Sequence, residues 1–176
     1  MERKKLNPNQ IVTLNDYPVY NEQILKIYFR IFQKGQSKIM PPCPVIHKSI
    51  GVPIIKGRGA KIRKYNNLLI EFLEQHPQAE YFLLDGTHKT TAADLSHQPI
   101  PVMIFRNNKD VREAEKLVEK GDIFSLTAGD SIKEALDELR QHFFKFMTFQ
   151  TVAEKTKKMV LRKAVPKYMI EYYIKK

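Results

Sequence analysis

The chain has one cysteine, Cys43, no tryptophan, and only seven glycines in 176 residues. A single thiol excludes an internal disulfide framework and any zinc site built from several cysteines. No apolar run approaches the ~18 residues of a membrane helix, and the opening "MERKKLNPNQ" lacks the apolar core of a signal peptide, so a cytoplasmic protein without membrane insertion is expected. Acid is also scarce: 19 Asp and Glu stand against 30 Lys and Arg, a net charge of +11. A field of that sign attracts phosphates, in nucleotides, nucleic acid or anionic lipid. The apolar share of 43% is large enough for a real core and argues against wholesale disorder.

The positive charge is concentrated in two places. "KGRGAKIRK" (56–64) carries five basic residues, Lys56, Arg58, Lys61, Arg63 and Lys64, and no acid. From Lys155 to Lys176 there are eight basic residues against Glu171 alone. Solvated surface is the plain reading of both. At 56–64, where two glycines loosen the backbone, contact with a polyanion is the stronger expectation.

Hydrophobic spacing predicts the elements. "NPNQIVTL" (7–14) reads as a turn and a short strand. Ile24, Ile27, Tyr28, Ile31 and Phe32 recur at helical spacing over 22–34, with Gly35 as the stop. The proline-rich stretch 40–55 allows only short strands, at 45–48 and 52–55. A helix over 62–75 ends at Pro77. "YFLLD" (81–85) and "IPVMIF" (100–105) read as strands joined by a short helix at about 88–96, a βαβ crossover. Asn108 or Asp110 is expected to cap a helix running to Lys120, with Gly121 after it. Ser131 and Thr151 each precede a glutamate by three residues, placing capped helices at about 132–145 and 152–163, and Pro166 opens a last one. The fold class is therefore α/β (α+β): a mixed-sheet domain over 1–127, followed by a helical C-terminal extension over 128–176.

The densest chemistry lies in "LLDGTHKTTAAD" (83–94). A strand there passes straight into a helix whose first N–H groups and positive dipole end favour anions. Gly86 permits positive φ and close approach of a ligand. Thr87, His88 and Thr90 add hydrogen-bond donors, and Lys89 adds a fixed charge for a phosphate oxygen. The spacing of a Walker loop is absent. Asp85 would repel a phosphate unless it holds Mg²⁺, takes a proton or caps the turn; Asp-Gly is also a common turn pair on its own. Ala92 and Ala93 keep the helix slim against the sheet.

"DGTHKTTAADLSHQPIPVMIF" resembles the signature of the ParB/sulfiredoxin superfamily: a strand ending in Asp-Gly, then His and a basic residue, small residues opening a helix, and Ile-Pro-Val opening the next strand. "LNPNQI", the helix at 22–34 and "PPCPVIHKSIG" follow the family's order, so the resemblance covers residues 6–106. It implies a small mixed-sheet α/β domain whose turn binds nucleotide phosphates. Sulfiredoxins need a cysteine where this chain has Thr87, so sulfinic-acid reduction is not expected. Partition proteins of the family bind CTP and carry a helix-turn-helix domain.

The family's free-serine kinases have a turn of the form D-G-H-H-R, to which "DGTHK" is closest. That branch implies a kinase or phosphotransferase using ATP or ADP with Mg²⁺ and a small hydroxyl-bearing acceptor. Glu22 would be catalytic base, with Asp85 and His88 completing the catalytic set and Asp85 holding the metal. Gly86, Thr87, His88, Lys89 and Thr90 would cradle phosphate, and Lys26 or Arg30 of the first helix would touch the nucleotide. The alternative is a DNA-binding partition or ParB-like nuclease-type protein, using Lys56, Arg58, Lys61, Arg63 and Lys64 on nucleic acid.

Overall fold

The computed structural model describes residues 1–15, 21–120 and 130–175. Its strands are β1 (Glu2–Leu6), β2 (Ile11–Val12), β3 (Cys43–His47), β4 (Tyr81–Leu83) and β5 (Ile100–Phe105). Its helices are α1 (Glu22–Gln33), α2 (Ala60–Gln75), α3 (Thr87–Leu95), α4 (Asn108–Glu119), α5 (Ile132–Phe146), α6 (Val152–Leu161) and α7 (Lys167–Lys175). The five strands form one mixed sheet in the order β1-β5-β3-β4-β2, and the C-terminal region is helical. No described helix is long and apolar enough to cross a membrane.

Both faces of the sheet are covered, which explains why "YFLL" and "VMIF" are unbroken apolar runs rather than alternating ones. On one face Cys43, Val45, Leu83, Val102 and Ile104 pack with Leu25, Phe29 and Phe32 of α1, Ala92 and Ala93 of α3, Met159 of α6 and Met169 of α7. On the other, Ile46, Phe82, Met103 and Phe105 pack with Tyr65 and Leu69 of α2, Val111 of α4, and Leu139 and Phe143 of α5. The helices after residue 130 thus contribute to both halves of the core. The expected boundary at 127/128 and Gly121 lie outside the described residues.

Several expectations are corrected. The β4–α3–β5 unit is not a parallel crossover. β3 lies between its two strands, antiparallel to β4 and parallel to β5, so β4 and β5 run in opposite directions. Leu84 N–H bonds the Pro44 carbonyl while Cys43 pairs with Val102, so β4 ends and β5 begins at the same end of the sheet. Nine residues of helix serve to return the chain to that end rather than to traverse the strands.

The strand expected at 52–55 does not form. β3 already has partners on both sides, and Pro53 lacks an N–H. Instead α2 holds the segment: Asn66 brackets Ile55 with two hydrogen bonds, and Tyr65 Oη donates to the Pro53 carbonyl at 2.6 Å. Conversely, β1 is a strand that the charged text "ERKKL" hides, because it is an edge strand exposing lysines.

At the helix ends, α4 is capped by Asn107, whose side chain accepts from Lys109 and Asp110 N–H, rather than by Asn108 or Asp110. Gly35 follows α1 at φ 69°. Thr151 and Glu154 form the full reciprocal capping box. At α5 Ser131 accepts from Glu134 N–H, but the Glu134 carboxylate reaches back to Asp130 N–H instead.

Candidate functional site

β4 leaves the sheet through Leu84 and Asp85, and Gly86 then stands at φ 101° as the N-cap residue of α3, with no side chain of its own to cap that helix end. Asp85 Oδ1 accepts the Gly86 N–H at 2.6 Å, fixing the turn. Glycine is required twice over here. Its φ is left-handed, and a Cβ would come 2.7 Å from Cys43 Sγ. The missing side chain therefore makes room for the protein's own thiol on β3. Burial pushes that thiol up to about 11, against the pull of the Lys89 ammonium, so Cys43 is packing rather than a nucleophile.

Two long-range contacts fix the side chains that follow the turn. The His88 ring accepts the Asn21 N–H on Nε2 at 3.2 Å, which places the proton of a neutral ring on Nδ1. Lys89 Nζ donates to the Pro41 carbonyl at 2.8 Å, spending one of three ammonium protons. The start of α1 and the segment before β3 therefore meet at the start of α3. Glu22, the first residue of α1, adjoins the His88 contact; its carboxylate is mostly exposed and paired with Lys26. Arg30 is exposed in the last turn of α1, two turns further along. Thr87 and Thr90 are buried, and the single proton of Thr90 Oγ1 goes to the Thr87 carbonyl, so Thr90 braces the helix instead of offering a donor. Ala92 and Ala93 are fully buried against the sheet, as their size predicts.

Three residues of this neighbourhood were not among the candidate site residues read from the sequence. Asp85, Leu84, Leu14, Glu138 and His142 line a cavity of about 300 Å³ between the β4 end and α5. Burial raises the Glu138 carboxyl, and the nearby Glu134 charge adds to it. His142 Nε2 accepts the Asn15 N–H at 2.8 Å. Glu138 and His142 are spaced i, i+4 on α5, a signal too common to be read alone. Tyr28 of α1 is the third: burial raises its phenol, and charge on Cys43 and Asp85 adds to the effect.

No group of three metal-ligating side chains occurs among the described residues. A Mg²⁺ held by one carboxylate and by substrate phosphates needs no such group. Asp94 does not join Asp85. It lies at the far end of α3, 8% exposed, and its Oδ2 has no hydrogen-bond partner. Burial raises its carboxyl, while Thr156 and His97 pull it down. The folded chain therefore holds a proton that the unfolded chain has released, and stability falls as pH rises from the ordinary carboxylate range through the raised value. Asp94→Asn should stabilise the fold at neutral pH by about 1 kcal/mol and flatten that pH dependence, as read from urea melts at acid and neutral pH.

The basic residues of 56–64 sit elsewhere. Lys56, Arg58, Lys61, Arg63 and Lys64 are all exposed, on the coil before α2 and its first turns. The Arg63 guanidinium donates to the Arg58 carbonyl, and Lys61 Nζ stands 4.6 Å over the Phe144 ring. No family model, no curated protein and no solved structure matches the chain. The chemistry of the site itself therefore carries the functional reading.

Proposed function

We propose that the chain is a ParB/sulfiredoxin-like phosphotransferase. It binds the phosphates of a nucleoside triphosphate at the start of α3 and passes one to a small hydroxyl-bearing acceptor beside Asp85. The observation that carries this reading is the start of α3, where Gly86 turns at φ 101° and His88 and Lys89 are held by Asn21 and Pro41. Helix-end amides and one ammonium supply the charge stabilisation and alignment on which phosphoryl transfer depends. Mg²⁺, when bound with the nucleotide, neutralises charge on the phosphates. Asp85 borders both the turn and the cavity, so its carboxylate can hold that ion or orient the acceptor. Glu22, beside the His88 contact, takes the acceptor's hydroxyl proton as the oxygen attacks phosphorus and the nucleoside diphosphate leaves.

The test is an ATP titration followed by melting temperature, with and without Mg²⁺. At about 100 times its Kd a ligand stabilises by about 2.7 kcal/mol, a rise on the order of 5–10 °C. Lys89→Ala should weaken ATP about tenfold, the loss of one charge-assisted hydrogen bond. No shift with ATP, ADP or CTP under either condition removes the proposal.

The exposure of all five basic side chains of 56–64 favours a second reading, contact with duplex nucleic acid. Its mark is a log–log salt slope of about −0.9 per phosphate contacted, made shallower by Arg58→Ala and Lys64→Ala.

A further inference from the structure

The last two helices form a hairpin with a buried inner side and an exposed outer side. α6 ends in the turn 162–166, where the Lys163 N–H bonds the Val160 carbonyl at 3.1 Å and the Ala164 N–H bonds the Met159 carbonyl at 2.9 Å. The Pro166 carbonyl then accepts the N–H groups of Met169 and Ile170, which starts α7. Met159, Val165 and Met169 are buried with the residues on one face of the sheet. On the outer side a groove of about 540 Å³ runs between the helices, lined by Val160, Leu161, Val165, Ile170 and Ile174. These residues all belong to the stretch 130–175, which is described throughout.

Leu161 of α6 and Ile174 of α7 are 71% and 69% exposed. Single exposed aliphatics are ordinary, but two that border an apolar concavity form one continuous patch, and such patches mark interaction sites. The groove also carries Lys163, Lys167 and one acid, Glu171. Glu171 lies 3.7 Å from Lys167, and both side chains are exposed enough for water to screen the pair. Lys157, one turn before Leu161, and Lys175, next to Ile174, are exposed as well. Lys163 stands at φ 53°, a left-handed position that glycine takes without strain. The lysine there is strained, and it sets a cation at the end of the groove where the hairpin turns.

The charge and shape of the groove select among the partners that bury aliphatic surface. A second copy of the chain would bring the same cations to the contact and be repelled by them. A bilayer is flat and leaves a concavity unfilled. A helix with an apolar stripe fills the groove with side chains, and carboxylates beside the stripe meet the cations. The nine residues of α7 span about 13 Å, enough to receive anchors at i, i+4 and i+7, which span about 10 Å.

We propose that the groove between α6 and α7 is the docking site for an amphipathic helix of a partner protein, with an aliphatic stripe flanked by glutamate or aspartate. Its anchors enter between Leu161 and Ile174, and its carboxylates face Lys157, Lys163, Lys167 and Lys175. The site shares no residue with the turn at 85–90.

The experiment measures fluorescence anisotropy of a labelled synthetic peptide of about 15 residues, with leucine at i, i+4 and i+7 and glutamate on either side. A scrambled peptide of the same composition keeps the charge and loses the stripe. The full chain should bind the first at least tenfold more tightly than the second. Leu161→Ser and Ile174→Ser should each lower affinity about tenfold. Ile39→Ser, at an equally exposed aliphatic elsewhere on the chain, should change it less than twofold. Lys163→Gly removes both the strain and the cation. It should weaken peptide binding several-fold with a melting temperature no lower than the parent's. Equal binding of the two peptides, no binding of either, or affinity unchanged by Leu161→Ser and Ile174→Ser overturns the proposal. So does self-association that Leu161→Ser abolishes, which makes a second copy the occupant. Binding to phosphatidylserine vesicles that Leu161→Ser abolishes, without peptide binding, assigns the groove to a membrane and overturns it too.

Discussion

Gly86→Ala should destabilise the fold by about 3 kcal/mol, a large loss for a change of one methyl group. A φ of 101° is a conformation that side chains with a Cβ resist, at about 1–2 kcal/mol. The new methyl also arrives 2.7 Å from Cys43 Sγ. That sulfur cannot swing aside, since Cys43 is fully buried in the middle strand of the sheet. The two penalties can be separated. Cys43→Ala in the Gly86→Ala background removes the overlap but not the strained φ, so the double variant should recover part of the loss. A double-mutant cycle from urea melts checks this, with a coupling of about 1–2 kcal/mol expected. Simple additivity would show that the turn relaxes away from β3 and is not wedged against it.

Phe29→Ala should cost more, about 4 kcal/mol. Phe29 is fully buried on α1 and meets Tyr168 and Tyr172 of α7 edge-on, with ring centroids 5.8 and 5.5 Å apart. Edge-to-face pairs add to the area term, and truncation leaves a cavity where α1, the sheet and α7 converge. The loss should fall unevenly. Amide hydrogen exchange in α7 should quicken more than exchange in α2, which packs on the opposite face of the sheet. A loss below about 1 kcal/mol, or equal acceleration in both helices, would mean that α7 is not held by this contact.

Local features of the fold were legible in the sequence wherever a short stretch decides the outcome. The spacing of Ile24, Ile27, Tyr28, Ile31 and Phe32 located α1, and the Thr151–Glu154 capping box located the start of α6 to the residue. Asp85-Gly86 announced a left-handed turn at the start of a helix, and φ at Gly86 is 101°. Pairing in the sheet was not legible, because it is decided between distant segments. β3 inserts between β4 and β5, although β4 and β5 are joined by one short helix. The edge strand β1 was hidden by its lysines, which keep an exposed edge from pairing with other chains.

The candidate site divides in the same way. Its turn could be read from five consecutive residues. Its surroundings could not: Asn21 meets His88 across 67 positions, Pro41 meets Lys89 across 48, and Glu138 and His142 reach the Asp85 cavity from α5. Thr90 shows the opposite failure. A threonine in a phosphate-like turn reads as a donor, yet its hydroxyl proton is consumed by the helix itself.

The central claim is that the start of α3 receives phosphate. A crystal structure of the chain grown with ATP and Mg²⁺ tests it most directly. The account predicts triphosphate density within hydrogen-bonding distance of the main-chain N–H groups that open α3 and of Lys89 Nζ, with Asp85 close to the metal. Well-diffracting crystals at saturating ATP that show the turn without density, or nucleotide bound only elsewhere on the chain, would contradict it.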